Sequence, residues 1–258
     1  MGAGPLRLLD AGLTGRLEAA GRDVRVSILE TPPDLWPGEV AAAFDLARQV
    51  GGAVASAIAA HEFPLVLSGN CGPAALGCVA GVRVSRVYWF DAHGDFNTPE
   101  TTIGGFLDGM ALATLTGHCW RALAAQIDGF RSVPESAVTL IGARDLDPLE
   151  ADALARSAIT QVSPSALAQW IDALHGEPAG EPAYVHLDLD VLDPSHGRMN
   201  SYAATGGLTL AQLEDVLAAL RRHTRIVAAS ITAFDPAADV TAASLETALR
   251  LAEALAAN

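Results

Sequence analysis

The chain has 258 residues, half of them apolar, enough to bury a sizeable core in a single domain spanning residues 1–258. Thirty acidic against 16 basic residues leave a net charge of −14, which repels phosphate backbones and anionic lipid surfaces and so excludes nucleic acid and membrane as partners. No basic-then-apolar leader opens the sequence, no apolar stretch is long enough for a bilayer, and the three cysteines form no CxxC pair; the expectation is a cytoplasmic protein with reduced thiols.

In chain order, short β-branched or aromatic runs at 24–29, 64–68, 84–90, 137–141, 183–189 and 225–231 alternate with amphipathic stretches at 37–61, 73–80, 109–117, 148–157, 163–174, 209–223 and 241–256. That rhythm predicts βαβ units, hence a three-layer α/β/α fold around a mostly parallel sheet. Ser163 before Pro164, and Thr209 three residues ahead of Gln212, mark helix starts. Loops are expected at 31–38, 97–108 and 175–182, and the alanine enrichment falls on helices, where it reflects propensity.

Two strand ends carry the chemistry. Val87-Tyr-Trp-Phe-Asp91-Ala-His93-Gly-Asp95 is an apolar run ending in Asp, His and Asp at alternate positions, which share a face if the chain stays extended. Tyr184-Val-His186-Leu-Asp188-Leu-Asp190 repeats the pattern, and open α/β sheets bind ligands at this carboxyl edge. A lone Asp-x-Asp is more simply a turn cap, but turn chemistry has no need of the intervening histidine. Buried carboxylates in such numbers call for cations, and carboxylates with one or two imidazoles suit manganese (Mn2+), with zinc (Zn2+) or iron (Fe2+) as rivals. His186, one step inside Asp188, reads as a buried, hydrogen-bonded support.

Asp91-Ala-His93-Gly-Asp95-Phe-Asn97-Thr-Pro and Leu187-Asp188-Leu-Asp190-Val-Leu-Asp193-Pro resemble the two metal-binding signatures of the arginase, agmatinase and formiminoglutamase (ureohydrolase) family, and Gly206-Gly207-Leu208-Thr209 is similar to a third landmark. The likeness runs from about Gly4 to the C-terminus. It implies an arginase-like fold, two Mn2+ ions, a small guanidino or amidino substrate, and a homo-oligomer of three or six chains. By resemblance Asp91, His93, Asp95, Asp188 and Asp190 are metal ligands, and Asp95 also orients the attacking water and passes its proton to the leaving amine. The family's first strand, upstream of Gly4-Pro5, has no counterpart, which implies a shortened sheet edge. Gly142-Ala-Arg144-Asp145-Leu-Asp147-Pro-Leu-Glu150 is similar to the arginase version of its segment, making Asn97, Asp145, Asp147 and Glu150 substrate-binding, with Asp147 and Glu150 holding an α-amino group. The plainer alternative for these acids is a helix N-terminus stocked to suit its dipole.

Five positions depart from the family pattern. Cys71 stands where most relatives carry a metal-binding histidine: as a ligand it favours zinc or iron over manganese, and otherwise it is a small buried residue beside a weak first site. Asp108 aligns with an active-site histidine and Ala233 with the glutamate that recognises guanidinium; Asp108 is the candidate to supply the missing anion from across the pocket. Gly104 and Phe106 replace polar residues that grip a substrate carboxylate. The leading expectation is metal-dependent C–N hydrolysis of an amino-acid-like guanidino compound such as N-hydroxyarginine, giving urea or an analogue. The alternatives are an inactive arginase-like protein with a binding or structural role, and a metallohydrolase of an amide or formimino substrate.

Overall fold

Parallel pairing runs through the whole sheet of this protein, for which a computed structural model describes residues 1–30, 38–174, 180–238 and 243–257. Its six strands are β1 (Leu65–Leu67), β2 (Arg86–Phe90), β3 (Val138–Ile141), β4 (Thr160–Val162), β5 (Pro182–Asp188) and β6 (Arg225–Thr232), in the order β1-β6-β5-β2-β3-β4. Every neighbouring pair is parallel, so the sheet is all-parallel where the sequence predicts mostly parallel. Helices cover both faces. On one lie α1 (Gly4–Asp10), α2 (Leu13–Ala19), α8 (Leu167–Leu174), α9 (Leu210–His223) and α10 (Ala243–Ala256); on the other lie α3 (Glu39–Ala59), α4 (Cys71–Gly81), α5 (Ala111–Leu115), α6 (Arg121–Ala124) and α7 (Pro148–Arg156).

The central strands are buried on both sides, as parallel strands between helix layers must be. Tyr88, Phe90, Val185 and Leu187 point into the first core, and Val87, Trp89 and Tyr184 into the second. Glycines let α3 and α4 approach closely: a methyl group on Gly77 would lie 2.5 Å from Val50, and one on Gly81 2.6 Å from Val54. This packing fixes α4, whose first residue is Cys71. The capping box expected at α9 is present, with Gln212 N donating to Thr209 Oγ1 at 3.2 Å and Thr209 N to Gln212 Oε1 at 2.9 Å.

Five of the expected strands form to within two residues of their anticipated ends. The exception is 24–29, which forms no regular element, pairs with no strand among the described residues and leaves Val26 46% and Ile28 61% exposed. Its β-branched residues favour a strand, but a strand also needs a neighbour, and the described sheet stops at β1. Periodicity marks neither α1 and α2 nor the short, half-exposed edge strand β4. The helices expected at 109–117 and 163–174 begin as 3-10 turns, at Asp108–Met110 and Pro164–Ala166, before α5 and α8. Segment 97–108 is irregular, while most of the expected loops at 31–38 and 175–182, with Pro37 and Thr241 at two expected helix starts, lie outside the described residues. No described helix is long and apolar enough to cross a membrane.

Candidate metal centre

Strand register decides what meets at the carboxyl edge. Phe90 is level with Leu187 and Asp188 with Thr232, so Asp91 and Asp188 emerge side by side, with Ala233 one residue beyond Thr232 of the next strand. β1 ends level with Ile231, and the short turn after it delivers Cys71 to the same place. Asp91, His93 and Asp95 do not converge by alternation along a strand, as the sequence suggests: β2 stops at Phe90, and Asp95 adopts a left-handed backbone with φ 48°. Turns bring them together instead. His93 N donates to Asp91 Oδ1 at 2.8 Å, Asp190 N donates to Asp188 Oδ1 at 2.9 Å, and Ala92 N ties the two turns by donating to Asp190 Oδ1 at 3.1 Å.

Cys71, Asp91, His93, Asp95, Asn97, Asp108, Asp145, Asp147, Glu150, Asp188 and Asp190 all line one open cavity of about 220 Å³. Asp91, Asp95, Asp188 and Asp190 are each at most 6% exposed. Burial and then the charge of Asp190 lift Asp91 to a pKa of about 6; burial and neighbouring carboxylates push Asp95 and Asp188 well above the usual range. Burial pulls His93 down, but its contacts with Asp91, at 3.2 Å, and with Asp190 and Asp145 outweigh that and raise it to about 9. Cys71 Sγ lies 3.1 Å from Asp188 Oδ2, and burial followed by the surrounding carboxylates holds its thiol well above the ordinary value.

The chemistry of the lining suits cations. Asp95 Oδ2 is buried with no hydrogen-bond partner, and no lysine or arginine is among the residues lining the cavity. A bare carboxylate oxygen of this kind is costly unless a cation faces it. Two sets of ligand atoms are drawn within 4.8 Å of one another: Asp91, His93 and Asp190, and Cys71, Asp91 and His186. Carboxylates with imidazole and thiol suit divalent transition ions.

A profile of the arginase family matches residues 15–257. The chain belongs to the arginase family. It is 29% identical over 266 residues to an arginase from Bacillus caldovelox, covering 92% of this chain and 85% of that one. An N(omega)-hydroxy-L-arginine amidinohydrolase from Streptomyces lavendulae is 34% identical over 155 residues, covering 59% of this chain and 52% of that one. The solved structure of an arginase from Bacillus cereus superimposes with a TM-score of 0.85 at 27% identity, covering 99% of this chain and 92% of the other.

Within this arginase-family site, the acids of the 145–150 segment divide. Asp147 and Glu150 form the capping box of α7, and both oxygens of Glu150 are engaged, accepting from Phe96 N at 2.8 Å and Asp147 N at 3.3 Å. Glu150 therefore holds the Asp95–Phe96 turn, while Asp147 accepts from Asn97 Nδ2 at 3.1 Å at the cavity wall and Asp145 is largely exposed. Asp108 faces the start of α4, accepting from Cys71 N and Gly72 N, both at 2.9 Å, and from Asn70 Nδ2 at 3.1 Å. Ala233, in a left-handed conformation with φ 60°, leaves no carboxylate at its place in the lining.

Sequence reasoning passed over two residues. Asn200 is fully buried and donates at 3.1 Å both to Asp190 Oδ2 and to the carbonyl of Ala233; no local motif announces it. Arg144 donates to the carbonyls of Gly142, Asp190, Val191, Leu192, Ala204 and Thr205 at 2.7–3.3 Å, locking the turn that carries Asp190.

Proposed function

We propose that this chain is a binuclear metal-dependent amidinohydrolase that cleaves a C–N bond of an amino-acid-like guanidino compound, with N-hydroxyarginine the leading substrate. The observation that carries the reading is the buried, unpartnered Oδ2 of Asp95 among Asp91, Asp188 and Asp190. Cys71, Asp91, His93, Asp95, Asp188 and Asp190 would hold the ions, Mn2+ by family resemblance. When bound, the paired ions neutralise these carboxylates and polarise water toward the guanidino carbon.

The residues then divide the remaining work. Asp95 Oδ2 takes the proton of the attacking water and delivers it to the leaving nitrogen, which departs only once protonated. Asn97 and Asp147 present a hydrogen-bonded wall to the substrate's amino end, with Asp145 at the rim. Glu150 positions Asp95 from behind by holding Phe96 N. Asp108, committed to the α4 N-terminus, orients Cys71 and contributes only its charge to the guanidino end. Ala233 gives an ordinary guanidinium no ionic partner, and an N-hydroxyl substituent lowers the basicity of the guanidine and with it that need. The N-hydroxyarginine hydrolase from Streptomyces lavendulae among the relatives supports this choice.

The test is elemental analysis of protein purified with manganese, together with urea release from arginine, agmatine and N-hydroxyarginine. Two metal equivalents and a preference for N-hydroxyarginine are expected. Protein without transition metal sinks the metalloenzyme reading, and full metal loading without turnover of any guanidino or amidino compound points to an inactive binding protein. We place the chain in the cytoplasm as an oligomer of three or six copies, which sedimentation of the native protein tests.

A further inference from the structure

His186 stands behind the cavity wall, fully buried, with its ring stacked on Trp89 at a centroid distance of 3.8 Å. Pairing of β5 with β2 and β6 puts it level with Trp89 on one side and Ser230 on the other. Its Nδ1 lies 2.9 Å from Ser230 Oγ and 3.1 Å from Tyr184 Oη, so that nitrogen carries the shorter hydrogen bonds of the two. Nε2 faces the opposite way, 3.4 Å from Thr232 Oγ1, and Thr232 Oγ1 in turn sits 3.2 Å from Cys71 Sγ and 3.4 Å from Asp188 Oδ2. An imidazole held firmly at one nitrogen, with the other on a hydroxyl that itself touches a thiol and a carboxylate, has the arrangement of a supported metal ligand.

We propose that His186 is itself a ligand: its Nε2 joins Cys71 Sγ and the carboxylates of Asp91 and Asp188 around one of the two ions, making that position selective for Zn2+ or Fe2+ while the Asp91–His93–Asp190 position keeps a harder ion such as Mn2+. The inference rests on the two-metal reading above and adds an unlike pair of sites to it. The Cys71, Asp91 and His186 ligand atoms lie within 4.8 Å of one another, and bonds of about 2.0–2.3 Å in a tetrahedral site hold ligands roughly 3.5 Å apart, so the groups need close by at most about 1.3 Å. As the sulfur–metal bond forms, the thiol proton leaves to solvent. A sulfur and a nitrogen donor together favour the softer ion more than the thiol alone.

The deciding measurement is X-ray absorption at the zinc edge on chelator-stripped full-length protein reloaded with one equivalent of zinc alone. The expected shell contains one sulfur, one imidazole and oxygens. His186→Gln should then bind zinc on the order of 10- to 100-fold more weakly while manganese at the other position is retained, and Cys71→Ser should remove the sulfur and weaken zinc likewise. A shell with sulfur but no imidazole overturns the role of His186 and leaves the two-metal reading standing; failure of the unaltered protein to bind any metal defeats both. If His186→Gln does not fold, the spectrum of the unaltered protein decides alone.

Discussion

The carboxylate of Asp108 accepts the backbone N–H of Cys71 at 2.9 Å, so two of the positions at which the sequence is expected to depart from the family pattern are in direct contact. With Gly72 N and Asn70 Nδ2 also donating, Asp108 serves α4 as an external N-terminal cap, favoured by the helix dipole, and fixes where the Cys71 thiol points. The sequence offers Asp108 as a replacement anion for the substrate; the geometry commits both of its oxygens to the helix.

Asp108→Asn should therefore cost about 1–3 kcal/mol of stability, because an amide N–H₂ must replace one acceptor against buried N–H donors. Urea unfolding of the metal-free variant measures it. A loss below about 0.5 kcal/mol would mean that the cap carries little.

Ala233→Glu should raise the specificity constant for arginine by roughly a hundredfold, since one desolvated charged hydrogen bond is worth about 2–4 kcal/mol. The preference for N-hydroxyarginine should shrink in parallel. A variant that folds, binds metal and gains nothing on arginine refutes the assignment of Ala233 to the guanidinium end.

Metal-free protein should lose stability as pH rises. Asp91 is lifted from 3.8 to about 6, and Asp95 and Asp188 are also raised well above the usual carboxylate range, chiefly by burial. A carboxyl whose folded pKa exceeds its unfolded one binds more protons in the native state, so its stabilisation is complete below about pH 4 and is lost as pH climbs through about 6. Calorimetry of chelated protein should give a Tm that falls across this range, less steeply in Asp91→Asn. Added manganese should reverse the trend, and a chelated Tm that rises with pH instead would contradict the electrostatics of the empty carboxylate cluster.

Arg144→Lys should destabilise the fold by about 2 kcal/mol and weaken manganese binding, because an ammonium cannot reach six backbone carbonyls at once as the guanidinium fork does. Unfolding and metal titration of the one variant check both effects. Unchanged manganese affinity would separate the Asp190 turn from the Arg144 clamp.

What the sequence determined by itself is what repeats over short distances. Alternating apolar strands and amphipathic helices set an α/β/α fold, and Asp-x-His-x-Asp with Asp-x-Asp, each at the end of an apolar strand, marked the carboxyl edge. Tertiary structure decided the rest. Segment 24–29 carries strand propensity, but pairing requires a partner, and none is present among the described residues. Glu150 and Asp108 look like substrate acids in sequence, and only the fold reveals that backbone N–H groups occupy them. Cys71 meets Asp188 across 117 residues, and the ligand atoms of Asp91 and His186 lie within 4.8 Å of the same thiol. No local periodicity encodes such a meeting, because it depends on strand order and register, which are set by burial of the two cores as a whole.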